Sequence, residues 1–82
     1  MLVCAQIKMA RAALGWNISE LASEASVSIS TVKRVETPEG FAVATKANLS
    51  LVQKTLEEAG IEFIGSAQEG PGVRLWKQPR RG

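Results

Sequence analysis

The sequence predicts a mainly α-helical domain of four to five short helices followed by a C-terminal pair of β-strands. Three observations lead there. Apolar residues recur at helical spacing, as in Ile7, Ala10 and Leu14 or Leu49, Val52 and Leu56. Asn17 and Ser28, both good helix caps, stand just ahead of two such segments, and Gly15 and Gly60 stand just behind two others. After Gly60 the period changes to two, in "IEFI" and "VRLW".

The alanine-rich stretch "CAQIKMARAALG" has high helix propensity and predicts a first helix over roughly residues 3–14, stopped at Gly15. In "NISE", the Asn17 side chain can cap a second helix from Ile18 while Glu20 reaches back to the free amide. Leu21, Ala22 and Ala25 form its apolar side, and Ser26, Val27 and Ser28 end it because their helix propensity is poor. Ser28 then caps a third helix, "ISTVKRVE", with Val32 and Val35 inward and Ser30, Lys33, Arg34 and Thr37 pointing elsewhere. Pro38 and Gly40 end that helix, and residues 37–44 read as a loop whose Phe41 and Val43 tuck under the helices. "TKANLSLVQKTLEEAG" is the next helix, with Leu49, Val52, Leu56 and Ala59 on one face and Gly60 just past its end. Strands over 61–64 and 73–76 follow, joined by a stretch holding three glycines and one proline, and "QPRRG" reads as a polar tail.

At 82 residues the chain suits one domain with a thin core, and its 45% hydrophobic and 22% charged content is that of a globular protein. There is no His, Asp or Tyr, so acid-base and metal chemistry have few side chains to use. Cys4 has no imidazole to activate it and no second cysteine to pair with, which makes it a structural residue in a reducing compartment. The stretches "PEGF" and "EGPGV" lack the endings of phosphate-binding loops. The expectation is a protein that is not an enzyme, with no catalytic residues, metal, cofactor or small-molecule ligand. No run approaches the length of a membrane span and no leader pattern is visible, so a cytoplasmic protein is expected. Net charge is +2, and residues 1–40 balance to zero, so the charge alone does not point to DNA and any salt dependence of binding should be shallow.

Two helices meeting across a short turn can present the second one to a DNA major groove, where short side chains let the backbone approach the base edges. The segment "GWNISELASEASVSISTVKRVE" resembles the lambda-repressor/Cro-type (XRE-like) helix-turn-helix transcriptional regulators. Gly15, Trp16, Leu21, Ala22, Val27, Ser28, Thr31, Val32, Arg34, Val35 and Glu36 match that family's pattern. The resemblance covers roughly residues 3–59, and "LEEAGIEFI" with "GPGVRLW" resembles a group of very small bacterial members with a strand pair after the last helix. There are two departures. Ile18 stands where many members have a glutamine that touches DNA, and Ser26 stands where the turn usually has a glycine.

The resemblance implies a lambda-repressor-like helix-turn-helix domain over residues 1–59 and a dimerisation element with polar tail over 60–82. It implies a sequence-specific regulator of transcription that binds double-stranded DNA, on an inverted repeat, as a homodimer. Asn17, Ser28, Ile29, Ser30, Thr31, Lys33, Arg34 and Thr37 would then face the DNA. Ser28 is first a helix cap. Ile29 is either buried or set against a thymine methyl, and Ser30, Lys33 and Arg34 are either a solvated face or the reading face. Arg11 and Glu36 resemble a pair that ties the first helix to the end of the third in this family. In the strands, Ile61 and Phe63 share a face, as do Val73 and Leu75, and that side can pack on the last helix. Ile64 and Trp76 occupy the other side, and either a second copy covers it, making a dimer sheet, or Trp76 folds back on its own helices. Competing functions are an excisionase-like accessory protein that shapes DNA and an antitoxin-type module that binds another protein.

Overall fold

The computed structural model describes residues 3–76. The polar tail expected over 78–82 lies outside the described residues. Within them the order is α1 (Cys4–Leu14), α2 (Ile18–Ala25), α3 (Ile29–Val35), α4 (Pro38–Val43), α5 (Lys46–Glu58), β1 (Ile61–Ile64) and β2 (Gly72–Leu75). The protein is thus mainly helical with a C-terminal antiparallel strand pair. Among the described residues no helix is long and apolar enough to cross a membrane.

One core joins the elements. Ile7 and Ala10 of α1, Leu21, Ala22 and Ala25 of α2, Val32 and Val35 of α3, Val52 and Leu56 of α5, and Ile61 of β1 are buried together. The helical members are the periodic positions of the sequence, since only one side of each short helix can leave water. Burying a Val, Leu or Ile side chain contributes about 1.5–3 kcal/mol, so helices too short to persist alone are held by their shared interior. α2 packs against both α3 and α5, which supports α3 from behind.

The capping chemistry is as the sequence predicts. Asn17 Oδ1 accepts from the Glu20 N–H at 2.8 Å and Glu20 Oε1 accepts from the Asn17 N–H at 2.8 Å. Ser28 Oγ accepts from the Thr31 N–H at 3.1 Å. Between these caps, Ser26 closes α2 at φ 58° and ψ 41°. Despite lacking the usual glycine, the turn keeps left-handed geometry, and the Val27 N–H donates to the Ala22 carbonyl at 3.0 Å across it. A serine held there carries Cβ strain that glycine does not. Ser26→Gly is therefore expected to stabilise the fold by about 0.5–1 kcal/mol, less than the full strain because glycine is freer in the unfolded chain. Chemical denaturation would show it, and a lower midpoint in Ser26→Gly would contradict the account.

Two expectations are corrected. Residues 37–44 are not a loop: Pro38–Val43 form α4, capped by Thr37, whose Oγ1 accepts from the Gly40 N–H at 3.1 Å. A proline that cannot continue one helix is preorganised for the first turn of the next, so the same residue stops α3 and starts α4. Phe41 packs against the core as expected, but Val43 is 77% exposed. Two residues along a helix are about 200° apart around its axis, so the helix that turns Phe41 inward turns Val43 out.

The second strand also begins one residue earlier than expected, at Gly72, and ends at Leu75. Its register pairs Ile61 with Leu75, Glu62 with Arg74, Phe63 with Val73 and Ile64 with Gly72. The Trp76 N–H still donates to the Gly60 carbonyl at 3.0 Å, but Gly60 sits at φ 114°, where its chain has left extended geometry. The far end of the ribbon is tied to α1 by Gln6. This side chain is 1% exposed; its Nε2 donates to the Gly72 carbonyl at 2.8 Å and the Ile64 carbonyl at 3.2 Å, and its Oε1 accepts from the Val3 N–H at 2.8 Å. A buried glutamine is tolerable when its amide is paired in this way.

Candidate nucleic-acid interface

With Val32 and Val35 inward, the 100° step of the helix turns Ser30, Lys33 and Arg34 to the opposite side of α3, and all three are exposed. Ile29 borders that face on one side. Thr31, half-buried, borders it on the other. The expected candidates Ser28, Ile29, Ser30, Thr31, Lys33 and Arg34 thus lie on one continuous stretch, and Asn17 lies exposed at the start of α2. Neither Lys33 nor Arg34 forms an ion pair among the described residues.

Several of these side chains already have structural tasks. The Ser28 and Thr31 hydroxyls hydrogen-bond to each other at 2.9 Å. Asn17 is engaged through Oδ1 in its capping box. Thr37 donates its hydroxyl proton to the Arg34 carbonyl at 2.9 Å while accepting from the Gly40 N–H, so it joins the end of α3 to the start of α4. Ile18 packs against the core.

The angle of α3 is set at its far end. Arg11 of α1 makes a two-pronged bond to Glu36, Nε to Oε2 at 2.8 Å and Nη2 to Oε1 at 3.0 Å, and its Nη1 donates to the Trp16 carbonyl at 3.1 Å. Both side chains are largely out of solvent, at 17% and 6% exposure. The hydrogen bond to Glu36, and then the attraction of its charge, raise the Arg11 pKa despite the opposing effect of burial. The pairing expected for Arg11 and Glu36 is thus present. It also removes the Glu36 charge from the electrostatic balance beside Lys33 and Arg34.

A second restraint on α3 was not foreseen from the sequence. Gly40 is buried against the last turn of α3, and a Cβ added there would overlap the Arg34 carbonyl group and the Arg34 Cγ. The backbones of α3 and α4 approach so closely that only a glycine fits, and the stem of Arg34 lies over that glycine. The sequence contained one hint, a glycine three residues after a capping threonine in a position where helix propensity would choose almost anything else.

The residues expected to dimerise divide into two groups. Ile61 is 1% exposed and belongs to the core, with Phe63 and Val73 packed against that core. Ile64 is half-buried. Leu75, expected to share the inward face, is instead 46% exposed, and Trp76 is 41% exposed. Leu75 and Ile61 are directly paired, yet Ile61, beside α5, is buried while Leu75, the last residue of β2, stays in water even though β2 packs on α1. An exposed cross-strand pair, Arg74 Nη1 to Glu62 Oε1 at 3.0 Å, occupies the other side. In comparisons with known proteins, no family model, no curated protein and no solved structure matches the chain.

Proposed function

We propose that the protein is a sequence-specific regulator of transcription that binds double-stranded DNA through a lambda-repressor-like helix-turn-helix formed by α2 and α3. In this reading it works in the cytoplasm and α3 enters the major groove. The observation that carries the proposal is the division of labour on α3. Its outer face combines short hydroxyl side chains with two cations that have no partner within the described protein, while its other contacts all serve to hold its angle. Short side chains let a helix come close to base edges, and Lys or Arg can meet guanine or phosphate there.

A single helix reads only a few base pairs, so the protein acts as a homodimer on an inverted repeat, with the two copies of α3 about 34 Å apart. Leu75 and Trp76, exposed at the end of an open strand, support the ribbon as the place where two copies meet.

Selection of bound duplexes from a random library tests this directly. The expected outcome is a palindromic consensus, and a Lys33→Ala/Arg34→Ala double substitution should weaken binding to it. If one of the two makes a two-pronged base contact, about 1–3 kcal/mol is lost at one operator position; a phosphate contact instead weakens all sequences alike and lowers the salt slope by about one. Undiminished operator affinity in the double variant would remove α3 from the interface.

A further inference from the structure

The buried side chain of Gln6, at the third position of α1, joins three pieces of backbone. Its Oε1 accepts from the Val3 N–H at the start of α1, while its Nε2 donates to the Ile64 carbonyl at the end of β1 and the Gly72 carbonyl at the start of β2. Five residues on, about 7.5 Å along the helix and about 140° around it, Arg11 holds Glu36 at the end of α3. α1 is thus a strut between the ribbon and the end of α3, joined to each by side-chain bonds of fixed direction. The ribbon's other attachments are of a different kind. Ile61, Phe63 and Val73 meet the core through apolar contact, which attracts without a preferred direction. At its opposite end the ribbon follows α5 through Gly60, at φ 114°, a residue type whose backbone turns easily. The two Nε2 bonds therefore fix the ribbon's angle on α1.

We infer that Gln6 is a positioning residue for DNA: with two copies joined through their ribbons, it fixes the separation of the two α3 helices and makes the protein selective for one spacing between half-sites. The inference rests on the dimeric DNA-binding reading above and adds to it a residue that lies on neither α2 nor α3. Each base pair inserted between two half-sites moves one of them by about 3.4 Å and turns it by about 36°. To follow, the dimer must swing each α3 relative to its ribbon. α1 moves with α3 through Arg11 and Glu36, so the swing breaks the bonds that Gln6 makes to the ribbon.

The test uses a palindrome taken from the library selection. It is remade with its centre one base pair shorter and one longer, and binding is measured for the full chain and for Gln6→Met, which keeps a side chain of similar length and loses both donors. The wild-type protein should lose about ten-fold or more in affinity on each altered duplex, the worth of two hydrogen bonds. Gln6→Met has no such bonds to break, so its loss should be smaller by about that factor. Its affinity for a duplex with a single half-site, and its sedimentation as a dimer, should match the wild type. A wild type indifferent to spacing overturns the inference without any variant. The same spacing preference persisting in Gln6→Met also overturns it, as does an equal loss by that variant on every duplex, which would make Gln6 a support of the fold alone. All three leave DNA binding standing. A library that yields no enriched duplex, or a wild-type chain that binds its palindrome as a monomer, overturns the dimeric DNA-binding reading and this inference with it.

Discussion

Arg11→Ala is expected to lower the stability of the fold by about 3–5 kcal/mol, because it leaves the Glu36 carboxylate in a largely buried site without its counter-charge. A chain of 82 residues has about 4–12 kcal/mol in total, so this one substitution approaches the limit of folding. Three hydrogen bonds are lost together: two to Glu36 and one to the Trp16 carbonyl. Arg11→Lys should recover little, since an ammonium cannot make the two-pronged bond. Replacing both partners, as Arg11→Met/Glu36→Leu, should cost far less than Arg11→Ala because no charge is then stranded. Urea denaturation of the four proteins gives the comparison, and an Arg11→Ala loss under about 1 kcal/mol would mean that water already reaches the pair. The sign with pH is clear. A group whose pKa is raised on folding contributes its stability below its ordinary pKa and loses it only as pH rises past the raised value, so the Arg11 contribution should be unchanged through neutral and mildly alkaline conditions.

Gly40→Ala should cost about 1–3 kcal/mol, or more if α4 cannot shift away from α3. The obstacle is backbone, not a flexible side-chain end: the new methyl would occupy the space of the Arg34 carbonyl. Either α4 moves away from α3, which disturbs the hydroxyl bridge of Thr37, or the last turn of α3 opens. Both changes displace Arg34, so the variant should lose more affinity for a selected duplex than its fraction unfolded explains. Glu39→Ala, the neighbouring exposed position, is the control and should be nearly neutral. A Gly40→Ala protein within about 0.5 kcal/mol of the wild type would show that the two helices can separate freely.

The same residues show where reading the sequence succeeds and where it stops. Asn17, Glu20 and Ser28 act within three residues of themselves, and their hydrogen bonds were therefore legible from spacing alone. Pro38 misled, because a missing N–H stops a helix and begins one equally well, and only the path of the chain after α3 decides which is seen. Gln6 was missed for a different reason. On a helical wheel it is one polar residue among several, and its burial depends on two carbonyls more than fifty positions away arriving at its amide.

Ile29 presents the converse case. Its residue type allowed burial or exposure, and in the structure it stays 47% exposed, because Val32 and Val35 supply the buried side of α3 where it packs on α2. Leu75 was assigned to the inner face by its alternation, correctly in register, but alternation says which way a side chain points and not how far the covering helices extend.

By itself the sequence determined the positions of four helices, the N-caps of α2 and α3, most of their buried stripes and the strand pair, because propensity, capping and periodicity act over a few residues. Tertiary structure decided the fifth helix, the glycine-tight approach of α4 to α3, the attachment of the ribbon by Gln6, and which apolar side chains remain in water. Those features depend on which distant backbones meet and how closely, and no local pattern encodes that distance.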